Sequence, residues 1–330
     1  MNTPYQLNRF LAKTFAIWIL LTAITSYQFP SLFQWLTPMV PWFLGISAFS
    51  MGTTLTQFDF KEVAMRSEAI ILGVIAQYII MPFLAYLLVK VFYLPKELAL
   101  GVILVGACPG GVSSNIITFL AGGNAALSVA CTTMSTLLAP ILTPVIFYLL
   151  ANQWLDVSGW DMFVSVMIVV IIPMSIGFYV RNYLYTAIAR RLYLFPPISL
   201  STIILTIAAV TSTSRDFIEA HGAIILFVVF LHNVLGYLLG YFLARCCSLP
   251  EGDRRAIAIE VGMQNSNIGA TLALTHISPL AAVPSALFSV VHNITGAMLI
   301  SVWSRKEQKE QPRYQHKIGL PGHRKRTEEE

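Results

Sequence analysis

One stretch of this chain places a carboxylate deep inside an apolar, membrane-length segment: Ala256-Ile-Ala-Ile-Glu260-Val-Gly-Met-Gln264-Asn-Ser-Asn267-Ile-Gly. No Asp, Glu, Lys or Arg follows Glu260 until Arg305. An ionisable group at bilayer depth is energetically costly, so it is by default a functional-site hypothesis. The amides and hydroxyls that surround Glu260 in the sequence indicate that this site holds a cation.

The composition predicts an all-α polytopic membrane protein. Of the 330 residues, 56% are hydrophobic and 11% are charged, with a mean hydropathy of +0.70. A soluble protein would carry about 25% charged residues. The net charge of +5 comes largely from the residues after Trp303, so it implies no nucleic-acid partner. The four cysteines lie in or beside apolar segments without metal-ligand spacing, and we interpret them as small embedded residues.

Ten transmembrane helices are predicted, because a hydrocarbon core of about 30 Å needs roughly 20 apolar residues per helix. They cover residues 11–27, 38–57, 67–93, 96–121, 124–150, 160–183, 192–213, 220–247, 251–276 and 279–303. All Lys and Arg except Lys90, Lys96 and Arg215 then lie on one side of the membrane, so both termini are expected in the cytoplasm. The charged residues 305–330 are predicted to form a disordered cytoplasmic tail.

An internal repeat divides the chain into residues 11–151 and 160–304. At a constant offset, Lys90 pairs with Arg245 and Pro95 pairs with Pro250. The stretches that follow share Gly and then Ser-Asn-Ile, as Ser114-Asn115-Ile116 and Ser266-Asn267-Ile268. Five spans per half is an odd number, so the halves would enter the membrane in opposite directions, as in many secondary transporters. Generic similarity of membrane helices is the less favoured explanation.

The fourth and ninth spans are both interrupted. The fourth contains Cys108-Pro109-Gly110-Gly111, and the ninth contains the polar run that begins at Glu260. Two interrupted helices at equivalent repeat positions indicate a binding site. A simple kink would explain the glycines but not the concentration of Ser, Asn, Gln and Glu. Oxygen ligands of these types suit sodium, and the half-helix N-termini near 112–114 and 265–267 suit an anionic substrate group.

These residues resemble the bile acid:sodium symporter family, in particular its bacterial members. The resemblance rests on Pro109-Gly-Gly-Val-Ser-Ser114-Asn115, Ser128-Val-Ala-Cys-Thr132, Glu260-Val-Gly-Met-Gln264-Asn265-Ser-Asn267 and Val291-His292-Asn293. It covers roughly residues 10–305. It implies ten helices in two inverted repeats of five. Spans 1, 2, 6 and 7 would form a panel domain, and the others a core domain in which two unwound helices cross.

The resemblance also implies two sodium sites that share Glu260. The first would use Ser114, Asn115, Ser128, Thr132 and Glu260. The second would use Gln77, Glu260, Gln264 and the backbone carbonyls of Val261 and Met263. Ser128 and Thr132 are four residues apart, so a helical fifth span would present both hydroxyls on one face. Gln77 in an apolar span could instead join two helices by a hydrogen bond.

The substrate residues are expected to be Val112, Asn265, His292 and Asn293. Val112 would offer a backbone N–H at the helix break, whereas His292 could equally form a structural hydrogen bond. The resemblance implies a substrate such as a bile acid or a small, pantoate-like carboxylate. It also implies a monomer in the bacterial inner membrane.

We favour sodium-coupled symport of an organic anion by alternating access over three other functions. The first is a proton-coupled transporter in which Glu260 carries the proton, although a proton carrier needs none of the neutral oxygen ligands. The second is an intramembrane enzyme, which is disfavoured because no His-Glu-x-x-His motif or pair of buried aspartates is present. The third is a passive channel or sensor, which substrate accumulation against a gradient would exclude.

Overall fold

The computed structural model describes residues 3–55, 67–153, 158–184 and 189–318. Its α-helices are numbered here so that the two parts of an interrupted helix share a number. They are α1 (Thr3–Gln28), α2 (Val40–Thr54), α3 (Ser67–Val91), α4a (Lys96–Gly106), α4b (Ser113–Leu120), α5 (Ala125–Ala151), α6a (Gly159–Val166), α6b (Ile172–Tyr183), α7 (Phe195–Thr213), α8 (Arg215–Cys246), α9a (Glu251–Gly262), α9b (Ser266–His276) and α10 (Pro279–Ile318). A π-helical turn, Met167–Ile171, joins α6a to α6b.

The part of the chain that the structure describes is helical and multi-pass, as the sequence predicts. Six stretches of it are long and apolar enough to cross a membrane: Pro30–Thr54, Glu68–Val91, Ala125–Ala151, Gly159–Tyr183, Arg215–Cys246 and Pro279–Trp303. The other four predicted spans correspond to the shorter apolar segments Ile17–Gln28 and Pro197–Thr213 and to the interrupted pairs α4a–α4b and α9a–α9b.

Helix α3 shows how the bundle reverses the pattern of a soluble protein. Ile75, Ile79 and Phe83 lie one turn apart on its outer face and are 50–62% exposed. Gln77 and Met81, on the opposite face, are fully buried. A soluble helix would place the amide outside and the large apolar groups inside. The exposed apolar face is therefore suited to face lipid, and the buried amide has to find its partners within the protein.

The loops α3–α4a and α8–α9a have the same backbone geometry. Tyr93 and Ser248 are the two non-glycine residues of the described chain with positive φ, at 47° and 57°. A proline follows two residues later in each loop, Pro95 with φ −54° and Pro250 with φ −58°, and acts as the N-cap of the next helix. These are the positions that the sequence repeat pairs.

The helices pack in two groups. Helix α2 contacts mainly α6b and α7, and α7 also contacts α1. The second group is formed by α3, α4a, α4b, α5, α8, α9a, α9b and α10, in which α9a lies against α8, and α4a lies against α3 and α10. The groups meet where α10 contacts α7 and where α5 contacts α6a. All the elements that carry the interrupted stretches belong to the second group.

The structure continues α10 through Ile318, so that the helix includes residues 305–318 of the predicted tail. Arg, Lys, Glu and Gln, which dominate this segment, have high helix propensity. Extending an existing helix also needs no new nucleus. Residues 319–330 of the predicted tail lie outside the described residues.

We predict that Gly52→Ala destabilises the protein. A Cβ at Gly52 would overlap the carbonyl group of Met174 in α6b, and one at Gly177 would overlap the carbonyl oxygen of Phe49 in α2. Small residues that let two backbones approach are typical of membrane helix interfaces. Overpacking of this kind costs about 1–3 kcal/mol. Thermal unfolding of the purified protein in detergent measures the effect as a lower midpoint.

Gly45→Ala is the matched control on the same helix. A Cβ at Gly45 would lie 3.8 Å from the nearest atoms of Pro173 and Val169, which is an ordinary contact distance. Alanine also favours a helix over glycine by roughly 1 kcal/mol. Its midpoint should therefore equal or exceed that of the wild type, and equal destabilisation by both substitutions would contradict the proposed close contact.

Candidate functional site

The two interrupted helices meet at their breaks. The backbone N–H of Gly111 donates to the carbonyl of Met263 at 2.7 Å, and that of Asn265 donates to the carbonyl of Pro109 at 2.8 Å. Gly110 and Gln264 thereby form an isolated antiparallel bridge. Backbone that leaves a helix at membrane depth has to be paired inside the protein. Each break supplies the partners that the other has lost.

The breaks lie close to the predicted positions, and the break in the ninth span is shorter than the polar run that begins at Glu260. Helix α4a ends at Gly106 and α4b begins at Ser113. Helix α9a continues through Gly262, so Glu260 lies within a regular helix, and α9b begins at Ser266. The Asn265 side chain caps α9b by accepting the N–H of Ile268 at 3.4 Å.

Glu260 is 1% exposed, and three hydroxyls donate hydrogen bonds to its carboxylate. Ser114 at the start of α4b donates to Oε2 at 2.8 Å, and Ser128 of α5 donates to the same oxygen at 3.3 Å. Thr132, one turn further along α5, donates to Oε1 at 2.7 Å. Glu260 forms no ion pair with any residue that the structure describes. A buried carboxylate is therefore surrounded by neutral groups.

Asn115 completes the first predicted set of sodium ligands. Its Oδ1 lies 2.8 Å from the hydroxyl of Ser128 and 3.2 Å from that of Thr132. The structure thus brings all five residues together, and we call them the Glu260 cluster: Ser114, Asn115, Ser128, Thr132 and Glu260. Thr118, which the sequence analysis did not select, adds a hydroxyl 3.3 Å from Ser128. It lies one turn after Ser114 on α4b, and that spacing is the signal that could have identified it.

Gly110 leaves the space that the carboxylate occupies. A Cβ at this position would overlap Oε1 of Glu260. The N–H of Gly110 is also hydrogen-bonded, since it donates to the hydroxyl of Ser135 at 3.3 Å. Glycine at the break of helix 4 therefore permits a backbone approach that any other residue would prevent.

The structure brings together only some of the residues predicted for the second sodium site. Gln77 Nε2 donates to Gln264 Oε1 at 2.6 Å and to the carbonyl of Cys108 at 3.1 Å. Gln264 Nε2 donates to the carbonyl of Val261 at 3.0 Å. The carbonyl of Met263 accepts from Gly111, as described above. No hydrogen bond joins Glu260 to either glutamine among the described residues, so the shared carboxylate contacts the first set and not the second.

Three of the four predicted substrate residues line one small pocket. Val112, Asn265 and His292 surround it, together with Ser47 of α2 and Ile203 of α7. The fourth does not take part in it. Asn293 points along its own helix and donates to the carbonyl of Ser289 at 2.7 Å, since a short polar side chain within a helix readily bonds back to the preceding turn.

A larger cavity of about 300 Å³ lies between the two groups of helices, and sequence reasoning missed most of its lining. We call it the four-helix cavity because α2, α4b, α5 and α7 border it. Its polar side chains are Ser50, Thr54, Ser113, Asn115, Thr133 and Ser199, and the other lining residues are apolar. Of these, Asn115 also belongs to the Glu260 cluster. The hydroxyls of α2 and α7 carry no motif, so only the packing of these helices reveals them.

The donor set of the Glu260 cluster suits a hard cation. It consists of one carboxylate, one amide oxygen and three hydroxyls, and such oxygens are the ligands of alkali and alkaline-earth ions rather than of softer metals. Among the described residues, no group of three or more His, Cys, Asp and Glu side chains could hold a metal ion. A buried carboxylate beside two interrupted helices is typical of secondary transporters.

Comparison with known proteins identifies the family. Residues 41–221 match the model of the sodium bile acid symporter family. The chain is 47% identical over 311 residues to an uncharacterized sodium-dependent transporter, YocS, of Bacillus subtilis, covering 94% of this chain and 97% of the relative. It is 35% identical over 304 residues to the probable chloroplastic sodium/metabolite cotransporter BASS1 of Arabidopsis thaliana, covering 91% and 75%.

The chain therefore belongs to the sodium bile acid symporter family. Its relatives are named as sodium-dependent transporters or cotransporters, which excludes the intramembrane enzyme considered from the sequence. Membership of this family also means that the protein uses sodium in membrane transport.

We predict that Thr132→Val weakens sodium binding roughly tenfold, because it removes a hydroxyl 2.7 Å from Glu260 while preserving side-chain shape. Unfolding midpoints measured against NaCl concentration report the affinity, since a ligand that binds the native state raises stability. Choline chloride keeps the ionic strength constant.

Thr136→Val, one turn further along α5, is the control. Thr136 is also fully buried, but its hydroxyl has no hydrogen-bond partner among the described residues. Its removal should leave the sodium dependence unchanged and the protein at least as stable. Equal sodium responses in the two variants would count against Thr132 as a ligand.

Proposed function

We propose that this protein is a symporter that couples the sodium gradient to uptake of an organic anion by alternating access. The observation that carries the proposal is the Glu260 carboxylate, which is buried and bonded only to neutral hydroxyls. A hydroxyl has one hydrogen and two lone pairs. The same hydroxyls that donate to Glu260 can rotate and present lone pairs to a cation held between them.

The first sodium ion would be held by the Glu260 cluster. A second would lie near Gln77, Gln264 and the carbonyls of Val261 and Met263, with Glu260 supplying the negative charge for both. The second ion is supported by the Oε1 atom of Gln77, which is buried without a hydrogen-bond partner among the described residues. The two carbonyls already accept hydrogen bonds, but each keeps a second lone pair.

The architecture would be ten transmembrane helices in two inverted repeats, 11–151 and 160–304. The matching positive-φ loops at Tyr93 and Ser248 support this, as do the breaks in α4 and α9. The group formed by α1, α2, α6 and α7 would be the panel, and the remaining helices would be the core. The crossing of α4 and α9 then lies inside the core, where a site for alternating access is expected.

The substrate would be an organic anion such as a bile acid or a small, pantoate-like carboxylate. The N-termini of α4b and α9b carry partial positive charge that suits a carboxylate. The small pocket between these ends and the adjoining four-helix cavity would hold it. The family description names bile acids, and the plant relatives are named for metabolites.

Asn115 offers a physical basis for coupling. Its Oδ1 lies within hydrogen-bond distance of two hydroxyls of the Glu260 cluster, and the residue also lines the four-helix cavity. Sodium that orders Asn115 would favour the substrate-competent cavity, which is a linkage between two sites. Because one chain supplies both, a monomer would suffice. The distribution of Lys and Arg favours cytoplasmic termini in the bacterial inner membrane.

We predict that Glu260→Gln reduces sodium-driven uptake at least tenfold, because a neutral amide cannot offset the desolvation of two cations. Proteoliposomes with an inward sodium gradient and labelled cholate or pantoate measure this. Glu97→Gln in the first turn of α4a is the control for loss of a carboxylate and should retain uptake.

The same vesicles distinguish sodium coupling from proton coupling. A pH gradient without sodium should drive no accumulation in the wild type. Accumulation driven equally well by protons would support the proton-coupled alternative, and uptake that survives Glu260→Gln would contradict both.

A further inference from the structure

The carbonyl of Gly262 ends helix α9a without a backbone partner. In a continuous helix, the N–H of Ser266 would donate to it, but that N–H instead donates to the carbonyl of Gln264. The carboxamide of Asn233, from the middle of α8, donates to the Gly262 carbonyl at 2.7 Å. A side chain thus replaces the hydrogen bond lost at the break.

The orientation of Asn233 is fixed at both ends of its carboxamide. The residue is fully buried, and its Oδ1 accepts from the hydroxyl of Thr295 in α10 at 2.6 Å. Because the Gly262 carbonyl can only accept a hydrogen bond, the NH₂ group has to face Gly262, which leaves Oδ1 to accept from Thr295. Tyr237 supports the same region by a hydroxyl 3.3 Å from both Thr295 and the carbonyl of His292.

The break in α4 is bonded in the same way. Gln77 of α3 donates to the carbonyl of Cys108, just as Asn233 of α8 donates to that of Gly262. A carboxamide from the preceding long helix therefore contacts each break. Gln77 also reaches Gln264 and was selected as a ligand, whereas Asn233 contacts none of the proposed ligand atoms directly.

We propose that Asn233 is a positioning residue for the second sodium ion, an inference that rests on the proposed function. Gly262 lies between Val261 and Met263, whose carbonyls are proposed ligands. Those two carbonyls face Gln264 and Gly111, while the carbonyl between them is held toward α8. Holding the Gly262 carbonyl toward α8 fixes the two peptide planes beside it, and so directs the neighbouring carbonyls toward the site.

The test is the sodium dependence of thermal unfolding for Asn233→Leu and Asn233→Asp, with NaCl exchanged for choline chloride at constant ionic strength. Loss of an orienting group outside the ligand shell typically costs 10–100-fold in metal affinity. We expect the half-saturating sodium concentration to rise by roughly tenfold or more. The sodium response should also become less cooperative, because the first site is left intact.

Tyr241→Phe is the matched control, because it removes a hydroxyl from the same helix α8 that bonds to Glu251 at 2.8 Å and contacts neither Asn233 nor the Gly262 carbonyl. It should keep the wild-type sodium response, whatever its midpoint in choline chloride. If Asn233→Leu does not fold, Thr295→Val leaves the carboxamide free to rotate and should give a smaller shift in the same direction.

The outcomes separate the two proposals. The Asn233 variants could unfold at a lower temperature in choline chloride and still keep the wild-type half-saturating sodium concentration. That result would show that Asn233 has only a structural role, and it would overturn this inference but not the proposed function. A wild-type protein whose midpoint does not respond to sodium would overturn the proposed function and this inference with it.

Discussion

A carboxylate at the centre of a helix bundle in lipid has to obtain from protein groups the solvation that water gives it elsewhere. Glu260 obtains it from hydroxyls of α4b and α5, two elements brought together by the crossing of the interrupted helices. Hydroxyls can serve as donors or acceptors, whereas a lysine or arginine would fix the charge balance permanently. In the proposed sodium site, the neutral partners leave the negative charge available to an exchangeable cation.

The crossing itself is held by backbone. The bridge between Gly110 and Gln264 pairs groups that would otherwise be unpaired at membrane depth. Side-chain carboxamides donate hydrogen bonds to the remaining carbonyls, those of Cys108 and Gly262. Since each of these bonds joins different helices, the two breaks are expected to keep their relative geometry when the surrounding helices move. A site with that property can pass between the two sides of a membrane without being rebuilt.

Much of this arrangement could be predicted from local sequence. Hydropathy identifies the helices because lipid selects apolar residues along nearly their whole length. Pro109 with two glycines marks one break, and Glu260 in an apolar segment marks the site. The five residues of the Glu260 cluster were grouped through the family resemblance, with helical spacing relating Ser128 to Thr132, and the structure places all five in contact.

What the sequence could not supply depends on packing between distant segments. Ser50 and Ser199 lie far apart in the chain and line the same cavity only because α2 packs against α7. Asn233 was not selected because an amide in an apolar helix gives no indication of which carbonyl it will meet. Asn293 was selected for its neighbours in the sequence, yet its side chain bonds to its own helix.

Asn115 belongs to the Glu260 cluster and also lines the four-helix cavity, and this has a consequence for inhibition. A molecule that fills the four-helix cavity and contacts this amide should bind with an affinity that rises with sodium concentration, because linkage is reciprocal. One that occupies only the apolar wall formed by residues such as Met51 and Leu200 should be indifferent to sodium. The sodium dependence of an inhibitor would thus reveal which wall of the cavity it occupies.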